Sequence, residues 1–392
     1  MPVINRIAAL QPEIAAWRHD IHAHPELLYD VHRTAATVAE KLKAFGCDEV
    51  VTGIGRTGVV GVIRGRKPPG GGGGKAIGLR ADMDALPIAE ETQVPYRSTV
   101  PGKMHACGHD GHTAMLLGAA RYLSETRNFA GTAIVIFQPA EEGGAGARAM
   151  VKDGLMDRFA IEEVYGMHNF PGLPVGSFAI RPGPLMAAAD RLTIEITGVG
   201  GHAARPQLTI DPIVIGAQIV NQAQTIVARN VDPVDAAVVS ISVFQAGSTD
   251  NVIPQTAKLG GTARSFRPET QDLLERRLRA IVEGTAALHG ATAKLTYSRD
   301  YPVTRNHAPQ AAFAASVASE IAGAERVNTN VDPVMGAEDF SFMLQARPGA
   351  FIFVGNGDTA GLHNPAYDFN DEAIPVGASY WVRLVETALA AQ

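Results

Sequence analysis

The sequence predicts an α/β protein in two parts: a domain with a mixed sheet flanked by helices, and an inserted ferredoxin-like βαββαβ domain. Three observations carry this. At 392 residues the chain exceeds the ~250–300 at which one hydrophobic core stops growing. Short apolar runs alternate with a helical stretch over residues 58–137, an α/β pattern. Residues 191–301 then spell strand, helix, strand, strand, helix, strand, which is the split βαβ unit.

From Ile4 to Phe45 the apolar spacing is helical, with Ile7, Leu10, Ile14, Trp17 and Ile21 on one stripe and Pro25 breaking it, so two helices are expected. Gly53-Ile-Gly55-Arg-Thr-Gly58 satisfies the literal dinucleotide pattern. However, Val59–Ile63 continues as strand where that fingerprint needs a helix, so the glycines predict a hairpin turn. Strands are expected at Gly58–Arg64, Ala76–Arg80 and Ala133–Phe137, a helix at Thr113–Leu123, and a flexible exposed connection at Pro68–Gly74. In the inserted part, strands are expected at Arg191–Gly198, Ala236–Gln245, Ala257–Phe266 and Ala291–Tyr301, with helices at Asp211–Asn230 and Glu269–His289. The first domain then comprises 1–187 and 302–392 and the insertion 188–301. Joints near Leu185–Ala189 and Tyr301–Asn306 would allow hinge closure.

A hydrophobic fraction of 46% and a charged fraction of 19% are those of an ordinary globular protein. The formal net charge of −6 argues against a nucleic-acid partner, which needs clustered Lys and Arg. No apolar run reaches the ~18–20 residues of a membrane helix, so no membrane partner is expected. The first residues, Met1-Pro-Val-Ile-Asn-Arg6, lack the pattern of a signal peptide, which places the protein in the cytoplasm. Cys47 and Cys107 are the only cysteines. A disulfide framework is therefore not expected, and a reducing compartment keeps Cys107 available as a thiolate.

The chemistry-bearing residues cluster where strands end. Gly78-Leu-Arg-Ala-Asp82-Met-Asp84 is an apolar strand running into two carboxylates, and ligands collect at the carboxyl ends of strands in open α/β sheets. In Cys107-Gly-His109 the glycine lets both side chains approach one centre, while His105 and His112 carry no signal beyond that of ordinary histidines. Thr132–Phe137 ends in Gln138-Pro-Ala-Glu141-Glu142-Gly-Gly144. Adjacent side chains diverge, so one carboxylate can bind a metal ion while its neighbour addresses water. His168, after Val164-Tyr165, and His363, after the strand Ala350–Val354, each fall just beyond a strand. Cys107, His109, Glu142, His168 and His363 are five ligands of metal-compatible type, enough for two ions sharing one bridging group. The chain reads as a metal-dependent hydrolase.

These motifs resemble the M20 metallopeptidase family, in the amidohydrolase branch that includes hippurate hydrolases, N-acyl-amino-acid amidohydrolases and plant auxin-conjugate hydrolases. The likeness spans the chain, from Arg18-His19-Asp-Ile-His22-Ala-His24-Pro25-Glu26 through Gly198-Val-Gly-Gly201-His202-Ala-Ala-Arg205-Pro206 to Met335-Gly-Ala-Glu338-Asp339-Phe340 and Gly361-Leu-His363-Asn364. The resemblance implies a binuclear metal site ligated by Cys107, His109, Glu142, His168 and His363, with Glu141 as general base and Asp84 as a support behind the ligands. Asp82 stands where many members have a metal-binding histidine; Cys107 takes over that role, leaving zinc, manganese, cobalt or nickel as candidate ions. The inserted domain would be a lid that pairs subunits as a homodimer or higher homo-oligomer. Its His202 would reach a cleft, in dimers from the neighbouring subunit, to stabilise an oxyanion. Asn251 and Arg264 resemble substrate-contacting positions, and an Arg fork suits a carboxylate. The expected activity is hydrolysis of a small-molecule N-acyl amino acid to a carboxylic acid and a free amino acid. The alternatives are a dipeptidase or ureido-hydrolase on the same scaffold, or a non-catalytic binding protein.

Overall fold

The computed structural model describes residues 3–66 and 74–390. The connection expected at Pro68–Gly74 lies outside them except for its last glycine. The chain begins with α1 (Asn5–Ala23) and α2 (His32–Ala44), then β1 (Glu49–Ile54), β2 (Gly58–Arg64), β3 (Ala76–Asp82), α3 (His109–Thr126), β4 (Thr132–Gln138), α4 (Gly146–Lys152) and β5 (Ile161–Phe170). Next come β6 (Ala188–Thr197), α5 (Pro212–Arg229), β7 (Ala237–Ala246), β8 (Thr256–Ser265), α6 (Pro268–Leu288) and β9 (Thr292–Tyr301), before α7 (Ala308–Ala322), β10 (Gly349–Gly355) and α8 (Ile374–Ala388). Two compact units result: residues 1–185, 305–332 and 339–392, and residues 186–304 with 333–338.

In the first unit the sheet order is β1-β2-β4-β3-β5-β10, extended by the short strands Phe178–Ala179 and Val327–Asn328. The strands β4, β3, β5 and β10 are mutually parallel, so their carboxyl ends share one edge. Strands β3 and β10 are buried at every position, as a sheet covered on both faces requires. Ile7, Leu10 and Ile14 of α1, Leu116 and Leu117 of α3, and Trp381 and Leu384 of α8 belong to one core. The strand β1 pairs antiparallel with β2 across the turn expected from Gly53–Gly58.

One side chain on α1 breaks the apolar rule. Arg18 is fully buried, with Nη1 3.1 Å from Asp110 and 3.3 Å from Asp368, and Nε 2.6 Å from Asp371. The guanidinium therefore ties α1 to the start of α3 and to the segment before α8. Arg18→Met keeps the stem but leaves those carboxylates facing one another; thermal melting should show a loss of about 3–5 kcal/mol, and an unchanged melting temperature would remove the cluster as a structural tie.

The second unit is a four-stranded antiparallel sheet in the order β7-β8-β6-β9. Burial alternates along β6, so Leu192, Ile194 and Ile196 face one way. Ile215, Ile219 and Ile226 of α5 and Leu274, Leu278 and Val282 of α6 pack with them in one core. This is the ferredoxin-like βαββαβ unit. Its extent departs slightly from 188–301: it runs over 186–304 and recruits Pro333–Glu338, where Met186 bridges to Val334. Among the described residues, no helix is long and apolar enough to cross a membrane.

Candidate metal centre

Five segments of the first unit bring their side chains to the shared edge of parallel strand ends. Asp82 closes β3, and Glu141 and Glu142 lie in the turn after β4. His363 follows β10, and Cys107 immediately precedes α3. Two local expectations need correction. The helix expected from Thr113 opens four residues earlier, at His109, with Gly108 in the left-handed conformation at its start. His168 lies inside β5 rather than beyond it, because β10 pairs in register with β5 as far as Phe170 and sets Phe353 opposite His168. His363 adopts a positive φ of 63°, rare for a residue with a side chain, and its N–H is held by the Ala106 carbonyl at 2.8 Å.

The five side chains converge on one thiol. Cys107, His109 and His168 offer ligand atoms that all lie within 4.8 Å of one another, and so do those of Cys107, Glu142 and His363. Cys107 Sγ is 3.4 Å from His168 Nε2, and Glu142 Oε1 is 3.3 Å from His363 Nε2. His168 donates its Nδ1–H to the Asn169 carbonyl at 2.7 Å, and His109 donates Nδ1–H to the Asp84 carbonyl at 2.8 Å. Each ring therefore turns Nε2 inward. His109 Nε2 is buried without a hydrogen-bond partner among the described residues, a cost that a bound cation removes. Three buried donors of N and S type, one carboxylate and a half-exposed imidazole form a donor set that would suit divalent ions.

Carboxylates surround the ligands. Asp84 accepts the main-chain N–H of Glu141 through Oδ1 at 2.9 Å and that of Glu142 through Oδ2 at 3.1 Å, which fixes the backbone of the pair, and a carboxylate oxygen of each lies within 4.8 Å of the other and of a His109 ring nitrogen. Asp82 and Asp84 flank the same ring, 3.7 Å from His109 Nε2 and 3.5 Å from its Nδ1. Burial disfavours charge on His109, but Asp82, Asp84 and Glu142 outweigh it and the imidazole is pushed up to about 10. The negative surroundings that favour a proton there also favour a dication at Nε2. Burial, then the Glu142 and Glu141 carboxylates, hold the Cys107 thiol well above its ordinary value, so the thiolate needs positive charge beside it. Burial, then the neighbouring His112, keep His168 neutral.

Sequence reasoning missed several supporting residues. Arg80, fully buried in β3, bonds Asp82 at 2.6 Å, Gln138 at 2.8 Å and Asp339 at 3.0 Å. Asp339 also accepts the Ala147 N–H at 2.9 Å, and its own N–H reaches Glu141 Oε1 at 3.4 Å. Arg80 and Asp339, drawn from the interiors of separate motifs, give no spacing signal. His112 and Asn169 are likewise engaged at this centre.

The remaining predicted residues lie in the second unit. Gly201–His202 pairs antiparallel with Val252–Ile253, so His202 and Asn251 are neighbours, joined by an Ala203 N–H to Asn251 carbonyl bond of 3.0 Å. His202 is exposed, and its Nδ1 accepts the Ala204 N–H at 3.1 Å, which leaves the ring proton on Nε2. Arg264 is not with them. It lies near the far end of β8, eight residues beyond Thr256, which is about 26 Å in an extended strand.

The model of peptidase family M20/M25/M40 matches residues 78–387. A hippurate hydrolase of Campylobacter jejuni subsp. jejuni is 43% identical, covering 98% of this chain and 98% of its own. An N-acetylcysteine deacetylase of Bacillus subtilis is 38% identical over 97% of this chain and 98% of its own. Among solved structures, the Bacillus subtilis YXEP protein, described as a dinuclear metal binding peptidase from the M20 family, aligns with a TM-score of 0.83 at 34% identity, covering 98% of this chain and 100% of that one. With a family match over most of its length and relatives of this identity over nearly all of it, the chain belongs to peptidase family M20/M25/M40, in its amidohydrolase branch.

Proposed function

We propose that the protein is a metal-dependent amidohydrolase that cleaves N-acyl amino acids to a carboxylic acid and a free amino acid. The observation that carries the reading is Cys107, common to two ligand groups, with the main chain of Glu141 and Glu142 held by Asp84 beside it. Hippurate and N-acetylcysteine, named for two of the relatives, are both N-acyl amino acids. Cys107, His109, Glu142, His168 and His363 would hold the ions. Two divalent ions bound there would polarise the amide carbonyl and acidify water.

Glu141 is the general base in this reading. It takes the proton of the attacking water and returns it to the leaving nitrogen, with its carboxylate oriented by the Asp339 N–H. Asp84 positions Glu141 and Glu142 through their main-chain N–H groups. His202 presents Nε2–H as a donor for the oxyanion of the tetrahedral adduct. Arg264 would pair with the substrate carboxylate and Asn251 would hydrogen-bond the substrate.

If residues at both ends of β8 contact one substrate of this size, the separation of those ends favours the neighbouring subunit supplying either the His202–Asn251 pair or Arg264. This supports a homodimer through the second unit. Its sheet ends at β7, where Val243 and Phe244 are exposed, and Phe244 lies against Gly216 of α5 near the exposed Ile213 and Val214. An apolar edge strand of this kind invites pairing with a second copy. The thiolate ligand suits a reducing compartment, and we place the protein in the cytoplasm.

The test is amino-acid release from N-benzoyl, N-acetyl and indole-acetyl amino acids and from dipeptides, using chelator-treated protein to which zinc, manganese, cobalt or nickel is returned. Chelation should abolish turnover and one or more ions should restore it on the acyl substrates. Cleavage of dipeptides alone, or turnover that survives metal removal, would overturn the reading.

A further inference from the structure

Behind the ligands runs a chain of buried hydrogen bonds that the proposed reaction does not use. Asp82 Oδ1 accepts Nδ1–H of His112 at 2.6 Å. His112 Nε2 lies 2.9 Å from the main-chain nitrogen of Asn169 and 3.0 Å from its amide nitrogen. A main-chain N–H only donates, so His112 Nε2 is unprotonated and the ring proton sits on Nδ1. Both nitrogens are thereby spent. Although Asp82, His109 and His112 lie close enough together to hold an ion, this removes His112 from the ligand set.

The chain continues toward the thiol. The Asn169 amide nitrogen donates to the Cys107 carbonyl at 2.6 Å, which fixes the amide's orientation, and Asn169 Oδ1 accepts from the Tyr367 hydroxyl at 2.8 Å. The main-chain oxygen of Asn169 accepts Nδ1–H of His168 at 2.7 Å, which is what points His168 Nε2 at Cys107 Sγ. One residue therefore grips two ligands. Gly108 shows how closely the turn is seated on it: a Cβ there would lie 2.3 Å from Asn169 Nδ2 and 2.4 Å from the Tyr367 hydroxyl, at a φ of +85°. Only glycine lets the Cys-Gly-His turn dock.

We infer that His112 and Asn169 are positioning residues of the metal centre: the Asp82–His112–Asn169 chain holds Cys107 and His168 at ligand spacing and fixes which nitrogen of His168 faces the ions. The inference rests on the metal-centre reading above. Outer partners of this kind are worth about 10–100-fold in metal affinity.

The experiment is a cobalt titration of chelator-treated protein, followed by thiolate-to-cobalt charge-transfer absorption, with circular dichroism melting of each metal-free variant. Asn169→Asp, which turns a donor into an acceptor facing the Cys107 carbonyl, and His112→Phe should each weaken cobalt binding about 10–100-fold and alter the thiolate band. His112→Gln, which keeps an acceptor for Asn169, should recover part of the loss. Tyr367→Phe removes only the outermost hydroxyl and serves if the inner variants fail to fold; it should give a smaller loss of the same kind. Unchanged affinity and an unchanged band in folded variants would overturn the inference. Wild-type protein that shows no thiolate–cobalt band at all would instead overturn the metal-centre reading, and this inference with it.

Discussion

Replacing Glu141 by glutamine is expected to lower kcat on an N-acyl amino acid by about 10²–10⁴-fold, the range a positioned general base supplies, with metal content unchanged. The substitution is nearly silent in shape. Glutamine keeps an oxygen that can accept the Asp339 N–H, and the main-chain N–H that Asp84 holds is untouched. What it loses is the ability to take a proton from water and return it to the leaving nitrogen. Glu142→Gln makes the contrast, since Glu142 belongs to the ligand group with Cys107 and His363 and its loss should appear as lost metal. Steady-state kinetics beside metal analysis by mass spectrometry separate the two. Glu141→Gln protein that turns over normally would remove Glu141 as the base, and protein that loses its metal would make it a ligand.

The two glutamates were legible because a paired carboxylate after a buried strand and before paired glycines is poor design for a solvated surface. Cys107 and His109 were legible as residue types, though not as a helix start, because only the left-handed Gly108 moves the boundary of α3 back to His109. His168 was misplaced for a similar reason. Gly166 interrupts the apolar run, yet the strand continues because the Phe351 ring occupies the space where a Cβ would stand. His105 and His112 look alike in sequence, and what separates them is a partner: His112 meets Asp82 and Asn169, whereas neither ring nitrogen of His105 has a hydrogen-bond partner among the described residues. No periodicity reports which histidine faces a carboxylate thirty residues earlier.

The fold divides the same way. Alternating apolar residues in β6 and the helical stripes of α5 and α6 made the inserted unit visible, because each element must bury one face. Pro333–Glu338 has no such face, and it joins that unit through its bridge to Met186. Arg18 sits on an otherwise apolar stripe as if solvated, and its burial depends on three acids contributed by distant segments. Local patterns are written in neighbouring residues, whereas buried ion clusters are written in pairs that only the tertiary fold brings together.

His202→Ala protein, expected to lose about 10²–10³-fold in kcat as a removed oxyanion donor does, should regain activity when mixed with Glu141→Gln protein that is itself inactive. The reason lies in the length of β8. His202 and Asn251 are near one end of that strand and Arg264 near the other, about 26 Å apart in extended chain, so, if all three contact one small substrate as proposed, a single second unit does not supply them all. If the His202 of one subunit serves the Glu141 of its neighbour, a mixed dimer has one site with both residues intact and one with neither. Random exchange in an equimolar mixture makes about half the dimers mixed, and about a quarter of wild-type activity should return. Sedimentation velocity establishes that dimers form and exchange, and wild-type protein mixed with each variant controls for dilution. Should exchange proceed without any recovery, His202 acts within its own subunit or not at all, and Arg264 becomes the residue that must arrive from the neighbour.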